Sequence, residues 1–267
     1  MVAIAALVRP AWSDDKTAML FSRATTIAVQ MLRGTVAVAL PPRCPSCGAV
    51  TADDHRFCVD CWETLRFLGP PWCAACALPF DHERGAGAVC GDCLMTPPRH
   101  NGVRAAVAYG DVARRTVLKL KYGGRIGCAD TVARLMRRLL PDDCDVLVPV
   151  PLHRRRLWSR GFNQAGLIAS ALARDHGIAV ALDILVRRRA TPVLKGLNGR
   201  ARAKAVAGAF AVVAGREGAI AGRRVILVDD VYTSGATTDA CTAELLRAGA
   251  ASVTILCWAR VLNPLDD

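Results

Sequence analysis

Aromatic side chains are scarce, with Phe, Trp and Tyr together making 5% of the 267 residues. Single-stranded nucleic acid is commonly held by stacking on such rings, so their scarcity weighs against a stacking surface. No GxxxxGKS/T phosphate loop occurs, which removes a P-loop NTPase, and no GxGxxG fingerprint, which removes a Rossmann dinucleotide site. Long apolar runs are missing too. The opening MVAIAALVRPAW is too short to cross a bilayer and carries neither a basic leader nor an evident cleavage site. The apolar stretch 26–40 is interrupted by Gln30, Arg33 and Gly34, and reads as part of an N-terminal helical leader, 1–40, packed on its neighbours. No integral membrane span and no export are expected, which leaves a cytoplasmic protein.

What the chain has in excess is positive charge, 35 Lys and Arg against 23 Asp and Glu, a net +12. Such a surplus favours anionic partners, whether phosphate-bearing metabolites, nucleic acid or an acidic membrane surface. With 52% hydrophobic residues, the length suffices for one substantial core and a small satellite domain.

Eight of the twelve cysteines form four CxxC pairs, Cys44/Cys47, Cys58/Cys61, Cys73/Cys76 and Cys90/Cys93, inside fifty residues. A CxxC turn presents two thiolates on one side of a tight loop, and two turns complete the tetrahedral S4 shell that zinc prefers. The eight ligands therefore predict two structural Zn2+ ions in a double ribbon over 41–98. A disulfide framework is the bland alternative, and a reducing cytosol disfavours it. Joining of consecutive pairs is the favoured arrangement, although spacing alone also allows crossed pairing. His55, His82 and His100 stay outside the two sets. Cys128, Cys144, Cys241 and Cys257 read as small buried side chains rather than nucleophiles.

After TPPRHNG (96–102) the cysteine clusters cease and aliphatic runs alternate with helical stretches, marking a second domain, 99–267. Strands are expected at 103–109, 145–151, 178–186, 208–213, 224–228 and 252–258, and helices at 112–122, 130–140, 162–175 and 237–248. Buried strands alternating with helices make a mainly parallel α/β sheet covered on both faces. Within it, VILVDDVYTSGATTD ends an apolar strand on Asp229 and Asp230, at the carboxyl edge where open α/β sheets bind ligands. The next turn passes through Gly235 into a helix, so backbone N–H groups and the positive helix end converge with the hydroxyls of Thr233, Ser234 and Thr237. That is a phosphate cradle, beside two carboxylates suited to vicinal sugar hydroxyls and Mg2+. A ribose phosphate is the expected ligand. Taken singly, each of these residue types is ordinary at a helix cap or a solvated turn.

Basic residues stand at the same edge. His153, Arg154, Arg155, Arg156 and Arg160 follow the strand 145–150, where guanidinium forks match pyrophosphate oxygens. Asn163 and Gln164 would add polar contacts, and Lys119, Lys121 and Arg125 further charge, a solvated face being an even alternative for the lysines.

Residues 225–237, VILVDDVYTSGAT, resemble the binding motif of type I phosphoribosyltransferases. With LKYGGR (120–125), VPVPLHRRRLWSRGFNQA (148–165), AGAF (207–210) and the cysteine-rich ribbon, they make the chain after residue 40 similar to the ComF competence-protein family. The resemblance implies a type I phosphoribosyltransferase-like α/β domain that binds 5-phosphoribosyl 1-diphosphate with Mg2+. In that reading Asp229 and Asp230 position the ribose, while Thr233, Ser234, Gly235, Ala236 and Thr237 hold the 5-phosphate. His153, Arg154, Arg160 and Lys121 face the diphosphate, and Arg202, with Arg200 and Lys204 in a flexible loop over 191–210, meets the leaving group. The implied reaction displaces diphosphate from the anomeric carbon through an oxocarbenium-like transition state.

No acceptor-activating base is evident, and Thr233 stands where enzymes for 6-oxopurines carry aspartate, which argues against that substrate class. Three residues depart from the resemblance. Leu194 and Ala205 stand where the family pattern carries Gln and Asn, pointing to weak or absent turnover, and Tyr232 stands where many of these enzymes carry an aliphatic residue. The family also implies a part in DNA uptake during competence or in nucleotide metabolism. The alternative is a non-catalytic zinc-ribbon adaptor that binds single-stranded DNA or a DNA-uptake or helicase protein. Trp62, Phe67 and Trp72 lie among the zinc ligands, where the ordinary expectation is a miniature ribbon core.

Overall fold

The computed structural model describes residues 41–191 and 199–262, with the backbone alone for Gly199 and Arg200. The expected leader 1–40 and Leu194 lie outside the described residues. Arg43–Asp267 forms one compact unit, separate from Met1–Pro42, so the cysteine-rich region and the sheet belong to one body.

In chain order the strands are β1 (Val103–Ala108), β2 (Val146–Pro149), β3 (Ala179–Val180), β4 (Leu185–Arg187), β5 (Phe210–Val212), β6 (Arg224–Tyr232) and β7 (Ser252–Arg260). Five of them form a wholly parallel sheet in the order β1-β7-β6-β2-β3. The other two, β4 and β5, pair as an antiparallel ribbon. The helices are α1 (Val59–Thr64), α2 (Gly91–Met95), α3 (Asp111–Tyr122), α4 (Cys128–Met136), α5 (Arg154–Arg160), α6 (Gln164–His176), α7 (Gly199–Val206) and α8 (Ala236–Arg247). The expected class is the one observed, a mainly parallel sheet with helices on both faces, preceded by a cysteine-rich ribbon region.

The continuous apolar runs follow from burial on two sides. In β6, Ile226 and Val228 join Leu147, Leu256 and Trp258 in a core packed by α3, α4 and α6. Their neighbours Val225 and Leu227 join Val146, Val148, Ile255 and Cys257 in a second core with α8, Ile184 and Phe210.

Two expectations needed correcting. The stretch 178–186 is not one strand: β3 ends at Val180 and β4 begins at Leu185 in the other ribbon, with Leu182 and Asp183 exposed between them. β6 does not stop at Val228 either. It continues through the aspartates because Val231 and Tyr232 still pair with Ala259 and Arg260 of β7.

The ribbon region closes one edge of the sheet. Phe67 pairs antiparallel with Val107 of β1, Leu68 N–H donating to Ala106 O at 3.0 Å and Ala108 N–H to Arg66 O at 2.8 Å. An edge strand left open would offer its backbone groups to other chains, and this pairing removes that exposure. Arg138 Nη2 secures the junction by donating to Leu68 O and Ala106 O. Among the described residues no helix is long and apolar enough to cross a membrane.

Candidate functional site

The eight CxxC cysteines gather in two sets, Cys44, Cys47, Cys58 and Cys61, then Cys73, Cys76, Cys90 and Cys93, with the sulfurs of each set within 4.8 Å of one another. Consecutive pairs therefore join. Tetrahedral Zn–S bonds of about 2.3 Å require sulfurs roughly 3.8 Å apart. Cys47 and Cys58 stand at 3.5 Å and Cys76 and Cys90 at 3.7 Å, so the donor sets fit zinc. The two halves repeat one design, in which Cys58 is the N-cap residue of α1 and Cys90 that of α2. Burial would raise the Cys44 and Cys73 thiols, but backbone N–H groups aimed at them outweigh it and lower them to about 6 and about 7. At Cys61 and Cys76 burial prevails and raises the thiols to about 12 and about 11, so zinc, which binds thiolate, has to displace those protons.

β6 delivers the acidic pair. Asp230 is buried and its Oδ2 stands 2.6 Å from Lys121 Nζ, on the last turn of α3. Asp229, half-buried, turns its Oδ1 back to accept the Asp230 N–H at 2.8 Å. Burial and then the Asp230 charge raise the Asp229 carboxyl well above its ordinary value. Burial opposes the charge on Lys121, yet the Asp230 carboxylate more than offsets this and raises it. The chain then leaves β6 through Thr233 and Ser234 to Gly235, which has φ +80° and caps α8. Thr238 Oγ1 donates to Gly235 O at 2.8 Å, which ties the turn to the first turn of the helix. Gly235 has no side chain to cap this helix start, and among the described residues no cap hydrogen bond is made there, which leaves N–H groups that suit an anion.

The basic arc comes from β2 and α5. His153 is the N-cap of α5, its Nδ1 accepting from Arg155 N–H at 3.4 Å, and burial followed by the surrounding arginines lowers its pKa. Arg154 is exposed. Arg160 stacks on Tyr122 and donates to its hydroxyl at 3.0 Å and to Gln164 Oε1 at 3.2 Å. Asn163, expected as a ligand contact, works in the scaffold: it caps α6 and donates from Nδ2 to Val150 O at 3.0 Å. Lys121 thus joins the acidic pair, whereas Lys119 Nζ lies toward Gly48 of the first ribbon and Arg125 near Cys128. Arg202 is buried on α7 and lines, with Thr233, Ser234 and Ala236, a cleft of about 1490 Å³ that does not include Asp229 or Asp230 among its walls.

Sequence reading passed over two arginines. Arg187 ends β4, its backbone bridged to His153 and its guanidinium 5.3 Å from the Phe210 ring centre, with Nε buried and unpartnered among the described residues. Arg260 ends β7, over the Tyr232 ring. Neither lies inside an expected strand, 178–186 or 252–258, and each closes a strand only in the fold. His100 was set aside with the other histidines, yet its Nε2 faces Asp239 Oδ1 at 3.6 Å. Burial lowers His100 to about 4 and raises Asp239 to about 6, so the contact is neutral near neutral pH only on the histidine side and is no strong ion pair.

Residues 35–94 match the double zinc ribbon domain family. The solved purine phosphoribosyltransferase from Pyrococcus horikoshii is similar over 53% of this chain and 76% of that one, at 20% identity and a TM-score of 0.30. Competence protein F of Haemophilus influenzae is 26% identical over 227 residues, covering 82% of this chain and 96% of that protein. DNA utilization protein YhgH of Escherichia coli is 33% identical over 237 residues, covering 84% of this chain and 100% of that protein. With one residue in three shared along the full length of the Escherichia coli protein, this chain belongs to the family of DNA utilization protein YhgH and competence protein F.

Proposed function

We propose that this protein binds 5-phosphoribosyl 1-diphosphate together with Mg2+ in the cytoplasm and transfers its phosphoribosyl group to a nucleophile, in the service of DNA uptake or nucleotide metabolism. The observation that carries the reading is the continuity of β6, the αL turn at Gly235 and the uncapped start of α8, with Asp229 and Asp230 on one side of the turn. In this reading the helix start and the hydroxyls of Thr233, Ser234 and Thr237 hold the 5-phosphate, and the aspartates orient the ribose hydroxyls. Asp230 is already paired with Lys121, so the carboxylates suit a cation shared with ligand oxygens better than a closed protein cage. Bound Mg2+ supplies charge neutralisation for the diphosphate. Arg154, Arg160 and Arg187 stabilise the negative charge that develops on the leaving diphosphate, and Arg202 lines the same cleft as Thr233, Ser234 and Ala236.

Calorimetric titration of the zinc-loaded protein with phosphoribosyl diphosphate and Mg2+ tests this. Saturable binding that disappears in Asp229→Asn/Asp230→Asn is the expected result, and absence of binding by the unaltered protein would refute the reading.

A second reading, an adaptor for single-stranded DNA, is favoured by one feature. Trp158 is 85% exposed on the arginine-rich α5, and Tyr122, under Arg160 of the same helix, is 72% exposed, aromatic and cationic groups suited to stacked bases. Oligonucleotide binding that falls steeply with salt and is weakened by Trp158→Ala would support it.

A further inference from the structure

The second zinc centre and the phosphate loop share one arginine. Arg260 is 8% exposed, and its Nη2 donates to Cys76 Sγ at 3.5 Å. Its guanidinium carbon lies 5.2 Å from the centre of the Tyr232 ring, and the Tyr232 hydroxyl sits 2.6 Å from where a Cβ on Gly235 would stand. Strand register fixes this stack, with Tyr232 paired to Arg260 and Val261 N–H donating to Tyr232 O at 2.9 Å. Arg260 Nε and Nη1 are buried without a hydrogen-bond partner among the described residues, so no carboxylate holds the guanidinium there. Four thiolates around Zn2+ leave a net double negative charge, and the groups that donate to such ligands orient them and are oriented by them. A thiolate in that shell is a charged acceptor, whereas a metal-free thiol is a weak one.

We infer that Arg260 is a positioning residue through which the second zinc centre holds the loop Thr233, Ser234, Gly235, Ala236 and Thr237 in the conformation that receives a ribose 5-phosphate. The inference rests on the ribose phosphate site proposed above. Anchored on Cys76, the guanidinium sits over the Tyr232 ring and fixes it, and the ring's hydroxyl backs the αL turn at Gly235. Without that anchor the ring is free to swing and the turn loses its backing. The diphosphate side is built on β2, α5 and β4, and so depends on a different set of elements.

The test titrates the zinc-loaded full chain with ribose 5-phosphate and, separately, with pyrophosphate and Mg2+. Arg260→Gln is expected to weaken ribose 5-phosphate binding by about ten-fold while leaving pyrophosphate binding within about two-fold, and Arg260→Lys to recover part of the loss. Because coupling between two sites is reciprocal in binding free energy, ribose 5-phosphate should also protect zinc in equilibrium competition with a chelator, by about the same ten-fold factor in zinc affinity, in the unaltered protein and not in Arg260→Gln. Equal ribose 5-phosphate affinity in both proteins, or zinc protection that survives the substitution, overturns the inference while leaving the phosphate site standing. Loss of both ligands together shows that Arg260 supports the fold at large, and also overturns it. If the unaltered protein binds neither ligand, the phosphate site itself falls, and the inference with it.

Discussion

Lys121 and Asp230 show how one pairing serves both stability and the site. Asp230 is buried within β6, and the ammonium at 2.6 Å is what makes its negative charge tolerable there. Removing one partner of a buried pair leaves the other uncompensated, a loss of about 3–5 kcal/mol that shrinks toward about 2 kcal/mol when one partner is partly exposed, as Lys121 is. Lys121→Met should therefore lower the urea unfolding free energy by about 2 kcal/mol and abolish phosphoribosyl diphosphate binding. Asp229 gives a pH dependence. Its folded pKa is raised, by burial first and by Asp230 second, so the unfolded chain releases its proton at lower pH than the folded one. The residue is neutral to stability below the unfolded value. It then destabilises increasingly as pH climbs from the ordinary carboxylate range through neutrality, until the folded group also ionises. Urea midpoints measured across that range should fall with pH in the unaltered protein and fall less in Asp229→Asn. Ligand binding that needs the ionised carboxylate should strengthen over the same rise.

Two helix-end glycines separate strain from function. Gly235 before α8 has φ +80°, and a Cβ there would meet the Tyr232 hydroxyl at 2.6 Å. Gly177 after α6 has φ +64°, and nothing lies within 4 Å of its Cβ position. Gly177→Ala should cost about 1 kcal/mol from the left-handed backbone alone and leave ligand binding intact. Gly235→Ala should cost more and remove ribose 5-phosphate binding, because the Tyr232 ring has to move out from under the loop. Thermal unfolding and calorimetry on the two variants distinguish these outcomes. The acidic pair, the glycine turn and α8 were readable in the sequence because all their determinants are local: an apolar run, two charges, a glycine and a helix period. Cys44 to Cys93 were readable for the same reason. The split of 178–186 into β3 and β4 was not, since that depends on which neighbouring strand each half finds. Arg187 and Arg260 were missed because strand-end arginines acquire meaning only once strand order is known, and the capping by Asn163 was missed because a helix expected to begin at 162 puts Asn163 inside its first turn.

The ribbons are tied to the sheet by more than the chain that links them. Cys44, Phe57, Cys61 and Leu65 belong to the same buried cluster as Leu147, Ile226 and Trp258. Phe57 stacks on Trp258 with ring centres 6.1 Å apart, Arg115 Nε donates to Ser46 Oγ at 3.1 Å, and Phe67 completes the β1 edge. Zinc-bound and sheet residues thus bury a common apolar surface, so the free energy of metal binding stabilises the sheet as well as the ribbon. A ribbon joined by a flexible tether would melt on its own when stripped of metal and leave the sheet's transition unchanged. The contacts here require the opposite outcome. Chelation should lower the temperature at which the β-sheet signal is lost, by roughly 10 °C for each ~3 kcal/mol of metal binding transferred to a unit of this size. Calorimetry with and without chelator, followed by circular dichroism, checks this. A single transition that shifts with zinc supports one cooperative unit, whereas an unshifted sheet transition beside a vanished ribbon transition would mean that the shared core contributes little. Since α3 carries both the Ser46 contact through Arg115 and the Asp230 contact through Lys121, the same chelation should also weaken ligand binding before the sheet unfolds.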